Sequence, residues 1–235
     1  MQVGATARWV AALVILVSAG VRAADDTAQD KPQVKIPEPG VPQAMTIEGT
    51  YIRAAYNNEG YAILGYRLVN QSLGNEWMLL EFGTTLRDGV PDYTMKRDAL
   101  SLETPDGKTI PLATIQEHRE ANVRDLETRE KVQRDSINYF PPNASRACRL
   151  GFFSELDSRA MPWDQVELSD DRGCVGRLFF HVPGGIVYGQ YWLNVKFEKS
   201  IVRVPFRVLT KDEEKLLSKN YKDIRKQVQD AFKKK

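Results

Sequence analysis

The feature that most restricts this chain is a two-residue alternation near its C-terminal end. Leu178, Phe180 and Val182 recur at every second position, as do Val202, Val204, Phe206 and Val208, with Trp192, Val195 and Phe197 between the two runs. A period of two puts such residues on one face of a β-strand. Strands that are apolar on one face need a second layer to cover them, so the chain must build packed sheets. The segments Val175 to Val182, Tyr188 to Glu198 and Ile201 to Leu209 are read as strands. Pro205 has no N–H to give a neighbour, which places the last of them at a sheet edge or bulge.

The same signals appear earlier. Ile47 to Tyr56 is rich in β-branched and aromatic residues, and Asn57-Asn58-Glu59-Gly60 is a turn by composition. Tyr61 to Val69 alternates, with Ala62, Leu64, Tyr66 and Leu68 on one face, and Trp77 to Leu86 is a further strand. Ala99 to Glu103 and Lys108 to Leu112 flank Thr104-Pro105-Asp106-Gly107, where Pro presets φ and Gly permits a positive one; a hairpin follows. Thr114 to Asp135 breaks the rhythm: it is charged, free of Gly and Pro, and carries a thin stripe of Ile115, Val123, Leu126 and Val132. It predicts a surface helix held by charge pairs such as Glu127 with Lys131. Asn138 to Gly173, with Pro141, Pro142 and Pro162, reads as irregular. These elements predict a mainly β fold over 45–209, an antiparallel sandwich with a helical insertion at about 114–135 inside a longer departure at 113–174.

Both ends differ from this body. Arg8 precedes Trp9 to Val21, 13 residues without a charge, where a bilayer-spanning helix needs about 20. Val21 and Ala23 supply the small residues of a cleavage site before Ala24, so 1–23 predicts a cleavable export signal and a periplasmic or secreted protein. Residues 24–44 carry Pro32, Pro37, Pro39 and Pro42 and read as an extended linker. The chain has 33 Lys+Arg against 31 Asp+Glu, and the leader holds Arg8 and Arg22 with no acid, so the remainder is neutral. Neutrality speaks against general capture of nucleic acid. In an oxidising compartment the only cysteines, Cys148 and Cys174, predict a disulfide, worth about 3.5 kcal/mol through loop closure. At the other end, Thr210 and Glu213 have capping-box spacing. Leu217, Tyr221, Ile224, Val228 and Phe232 then form one helical stripe over 210–235. Residues 211–235 hold nine Lys/Arg and five Asp/Glu. That helix either docks on the sheets or offers its stripe to a partner or an anionic membrane surface.

The strand pattern resembles bacterial secreted immunoglobulin-like domains related to telokin and to small immunoprotective extracellular antigens. The resemblance rests on Gly65-Tyr66-Arg67-Leu68-Val69-Asn70-Gln71-Ser72, read as a strand entering a polar turn, and on Asp98 to Leu102 leading to Pro105-Asp106-Gly107. It rests also on Gly176 to Phe180 and Val202 to Phe206; together these cover roughly 47–112 and 175–209. It implies an immunoglobulin-like sandwich acting as an exported binding module for a protein or cell-envelope component, and it carries over no catalytic residue.

Chemistry-bearing residues are few. His118 lies among the charges of the insertion and reads as a solvated surface residue; His181, between Phe180 and Val182, reads as half-buried on a strand. No catalytic, cofactor-binding or metal-ligating set emerges from the spacing, and oligomeric state is left open. Asp157, Asp164, Asp170 and Asp171 are the oxygen-rich positions that calcium would use, and Phe152, Phe153, Trp163, Tyr188, Tyr191 and Trp192 the aromatic ones for a ligand platform. Against both stands the plainer reading of surface loops and core packing. An enzyme or small-ligand site, if present, is expected in 138–174.

Overall fold

The computed structural model describes residues 43–154, 158 and 160–233. The export signal, its cleavage point at Ala23 and Ala24, and nearly all of the linker lie outside the described residues, as do the side chains of Val228 and Phe232.

Six strands form the larger sheet. β1 (Ala44–Gly49), β2 (Ile52–Tyr56), β3 (Gly60–Gly65) and β4 (Trp77–Leu86) run as an antiparallel meander. β10 (Arg172–His181) pairs antiparallel with β4, and β8 (Arg146–Arg149) closes the order, parallel to β10. The smaller sheet has the order β12 (Ile201–Val208), β11 (Gly189–Lys196), β6 (Leu100–Glu103), β7 (Thr109–Pro111). β5 (Tyr93–Lys96) and β9 (Gln165–Leu168) make a separate antiparallel pair. The fold is mainly β, with several antiparallel sheets.

One apolar core unites the two large sheets. Leu64, Leu80, Phe82, Leu178 and Phe180 enter it from one side, and Leu102, Leu193, Val195, Val204 and Phe206 from the other; none is more than 1% exposed. Tyr66 carries the contact across, its ring lying 5.2 Å from that of Phe206, on which the same-sheet neighbour Tyr191 stacks at 5.5 Å. The 104–107 hairpin forms, with Gly107 at φ 81°. Pro205 sits on β12, which is an edge strand.

Several segments depart from the sequence pattern for identifiable reasons. Ile47 to Tyr56 is two strands, because Arg53 folds back and donates to the carbonyls of Gly49 (3.0 Å) and Ile52 (2.9 Å), saturating a turn at Thr50 and Tyr51. The strand from Tyr61 stops at Gly65, and α1 (Arg67–Asn70) follows; a helical turn buries Leu68 and Val69 together, which a strand would split between faces. This also replaces the strand-to-turn reading of Gly65 to Ser72. Trp192 points away from the core face of β11 and is covered by the Arg203 guanidinium, 4.8 Å from its ring. The insertion is two helices, α2 (Ile115–Glu120) and α3 (Arg124–Gln133), broken at Ala121 to Val123. Nor is 138–173 wholly irregular, since it contributes β8 and β9.

Cys148 and Cys174 are register partners on β8 and β10 and form the disulfide. α4 (Lys211–Lys233) starts at the Thr210 and Glu213 box, with Thr210 N–H donating to Glu213 Oε2 (2.8 Å) and Glu213 N–H to Thr210 Oγ1 (3.3 Å). The helix docks on β1. Leu217 is buried, Tyr221 and Ile224 are half-buried, the Tyr221 hydroxyl donates to Ile47 O (3.2 Å), and Arg225 pairs with Glu48 (2.8 Å). Among the described residues, no helix is long and apolar enough to cross a membrane.

Candidate functional site

The outer face of the six-stranded sheet is unusual in what it lacks. Three glycines stand on neighbouring strands: Gly65 on β3, Gly83 on β4 and Gly173 on β10. The strap that follows α3, residues 134–145, crosses this bare lane. A Cβ at Gly83 or at Gly173 would come within 2.8 Å of the Phe140 ring, and one at Gly65 within 3.1 Å of Ile137. Glycine is needed here for close approach, not for backbone freedom. Ile137 and Phe140 then pack with Ile52, Ala54 and Ile63 as a second apolar cluster.

Beside the lane lies a buried charge network. Arg177 of β10 stands in register with Glu81 of β4, and both are over nine-tenths buried. Arg177 reaches Glu127 at 3.4 Å and Glu130 at 3.7 Å on α3, and donates to Ser154 O at 2.9 Å. A buried guanidinium is tolerated only with such partners, and the carboxylates need it equally. Arg134 pairs with Glu130 from the solvent side at 2.7 Å. Asp135 Oδ1 accepts both Arg67 Nε (2.9 Å) and Arg67 Nη2 (2.6 Å), and the Asp135 N–H donates to Glu81 Oε2 (3.1 Å). Burial, then the neighbouring Glu130 and Asp135, push the Glu81 carboxyl up to about 8, so it carries its proton at neutral pH.

Between strap and sheet opens a trough of about 600 Å³, lined by Glu81, Arg134, Asp135, Phe140, Arg146, Arg149 and Val175 among others. Its floor is the face of β4, β10 and β8, and Val175 lies 40% exposed on that floor. The trough is two-ended. Glu81 and Asp135 stand at the end where the strap is fastened; Arg149, in register with Val175, and Arg146 stand on β8 two strands away, about 10 Å across the sheet. A second concavity of about 870 Å³ lies at the β6–β7 hairpin, where Asp106, Lys108, Glu117, His181 and Tyr191 meet.

Other residues singled out in the sequence fall as follows. His118 is not a solvated surface residue. It packs between the Phe153 ring (4.9 Å) and the Phe179 ring (4.4 Å), and burial, with Arg177 and Arg97 nearby, pushes it down to about 4. His181 is half-buried, stacks on Trp77 at 5.2 Å and lines the second concavity. Asp157 lies outside the described residues; Asp164 pairs with Arg97, Asp171 with Arg146, and Asp170 accepts from Gly89 N–H, so these carboxylates serve the protein's own donors. Phe152, Phe153, Tyr191 and Trp192 are buried, while Trp163 and Tyr188 are exposed at separate places, so the aromatics form no single platform.

The sequence does not mark Glu81, Glu130 and Arg177, because charged residues read as solvent-facing. The one available signal was Glu81 within an otherwise apolar run from Trp77 to Phe82. The chain matches no family model, no curated protein and no solved structure.

Proposed function

We propose that this chain is an exported, immunoglobulin-like β-sandwich that binds a protein or cell-envelope component in the trough under the 134–145 strap. The observation that carries this reading is the trough floor: Val175 exposed on a sheet face, apolar flanks from Phe140 and Leu150, and guanidinium groups from Arg134, Arg146 and Arg149 around it. An open channel with an apolar bed and polar rim suits an extended segment of a partner, with side chains in the bed and carbonyls or carboxylates on the arginines. The disulfide between β8 and β10 supports export, because such bonds persist in oxidising compartments. The trough, formed largely from 138–174, is also where a small ligand would sit.

The docking of α4 favours the helix as part of the fold over the helix as the partner-binding element. Its Leu217, Tyr221 and Arg225 are already engaged with the domain.

The test fills the floor. Mature protein and a Val175→Arg variant are used to capture material from envelope extracts, with Val132→Arg, at a position 81% exposed on α3, as control. The expected outcome is a partner retained by wild type and by the Val132 variant and lost with Val175→Arg. Equal capture by all three, or turnover of a substrate by the purified protein, overturns the reading.

A further inference from the structure

We infer that a proton shared between Glu81 and Asp135 fastens the 134–145 strap to the sheet, so that losing it lifts the strap and widens the trough. As control of ligand access, this rests on the trough being the binding site; as a statement about the strap, it does not.

The geometry begins at Gly65. With no side chain there, the Glu81 carboxyl lies over β3, so near that a Gly65 Cβ would meet Oε2 at 2.8 Å. The position turns the carboxyl toward the strap, where Oε2 accepts the Asp135 N–H at 3.1 Å. Asp135 in turn gives Oδ1 to Arg67 and leaves Oδ2 buried without a partner. A buried carboxylate oxygen without a donor is costly, and Glu81, already bonded to the Asp135 N–H, can supply one in its protonated form. In the inferred arrangement the O–H of Glu81 donates to Asp135 Oδ2 while Oε2 keeps the backbone N–H.

The surroundings make that proton matter. Facing Glu81 are Arg177 on β10, Glu127 and Glu130 on α3, Arg134 and Asp135 at the start of the strap, and Arg67 on α1; His118 of α2 lies beyond Arg177 and Glu127. Arg177 is committed to the α3 glutamates, Arg134 to Glu130 and Arg67 to Asp135. Ionised Glu81 would therefore add a buried negative charge beside Glu130 and Asp135, eased only by Arg134, which Glu130 already holds. The relief available is movement of Asp135 toward solvent, drawing Ile137 and Phe140 off the glycine lane. Desolvation and the two neighbouring carboxylates hold the Glu81 carboxyl up at about 8, above its ordinary range. A group raised in the folded state stabilises that state fully below its unfolded value and loses the contribution as pH rises through about 8.

The experiment follows amide exchange of residues 134–142 in the full mature protein at about pH 6 and about pH 9, corrected for intrinsic rates, in wild type and Glu81→Gln. Gln is neutral at both values and keeps a donor for Asp135. Wild type should lose strap protection about tenfold or more at the higher pH while β4 and β10 keep theirs, and Glu81→Gln should hold the strap at both. Wild-type protection that ignores pH, or a Glu81→Gln strap that loosens like wild type, overturns the inference. Should Glu81→Gln not fold, the carboxyl carbon shift of Glu81 in wild type decides: a midpoint above about 7 supports the shared proton, and one below about 6 overturns it. No partner enters these measurements, so their failure is separate from failure of the capture test.

Discussion

The two faces of the six-stranded sheet exclude water by opposite means. On the inner face Leu64, Leu80, Phe82, Leu178 and Phe180, all apolar, interlock with the second sheet. On the outer face the same three strands offer Gly65, Gly83 and Gly173, a glutamate and an arginine, covered by two helices and the strap. The inner face is held by volume: any side chain of the right size and polarity contributes. The outer face is held by pairing, in which each charged group depends on a named partner. Dense packing tolerates gradual change, whereas a paired network fails at the loss of one member.

Phe82→Ala and Arg177→Ala set the two modes of burial against each other. Each should cost about 3–5 kcal/mol, the first through the cavity left behind, the second through loss of the buried guanidinium that Glu127 and Glu130 share. They should differ in rescue. Converting Glu127 and Glu130 to Gln alongside Arg177→Met should restore much of the loss, while no polar change rescues Phe82→Ala; urea midpoints of the four proteins measure this.

Acid offers the next test, because the network's His118 is held neutral. Its folded value of about 4 lies below the ordinary 6.5, so it stabilises the fold above about 6.5 and that contribution is lost as pH falls toward 4. A His118→Phe variant should flatten the stability profile across that window, while core variants such as Phe82→Ala should keep the wild-type slope. The smallest effect expected is at the lane: Gly173→Ala should cost about 1–3 kcal/mol by pushing Phe140 outward, and should raise amide exchange in the strap more than in β10.

The same contrast explains what could be read from residues alone. The inner face announces itself by alternation, and Trp77 to Leu86 and Ile201 to Val208 are found almost to the residue. The 104–107 turn and the Thr210 cap are likewise local, each specified by side chains within a few positions. The outer face is not local. Nothing near Glu81 in sequence says that Asp135 will donate to it, and nothing near Gly83 names Phe140. A thin apolar stripe in the insertion pointed to solvent, since helical patterning counts apolar residues only. Glu127 and Glu130 turn inward because Arg177, far along the chain, waits beneath them. The breaks at Thr50 and Gly65 are of the same kind, set by Arg53 folding back and by Leu68 and Val69 both finding core.

The docked C-terminal helix has a consequence for how copies of this protein coexist. β1 and β12 are the edges of their sheets, and an exposed edge is a template for another chain's strand. Here Tyr221 takes the Ile47 carbonyl, Gln43 both donates to Arg203 O (2.8 Å) and accepts from Arg203 N–H (3.0 Å), and Pro205 leaves β12 one donor short. A strand added at that flank would have to displace these bonds. Copies of the chain therefore meet with backbone groups of this seam already engaged, and α4 covers the β1 edge.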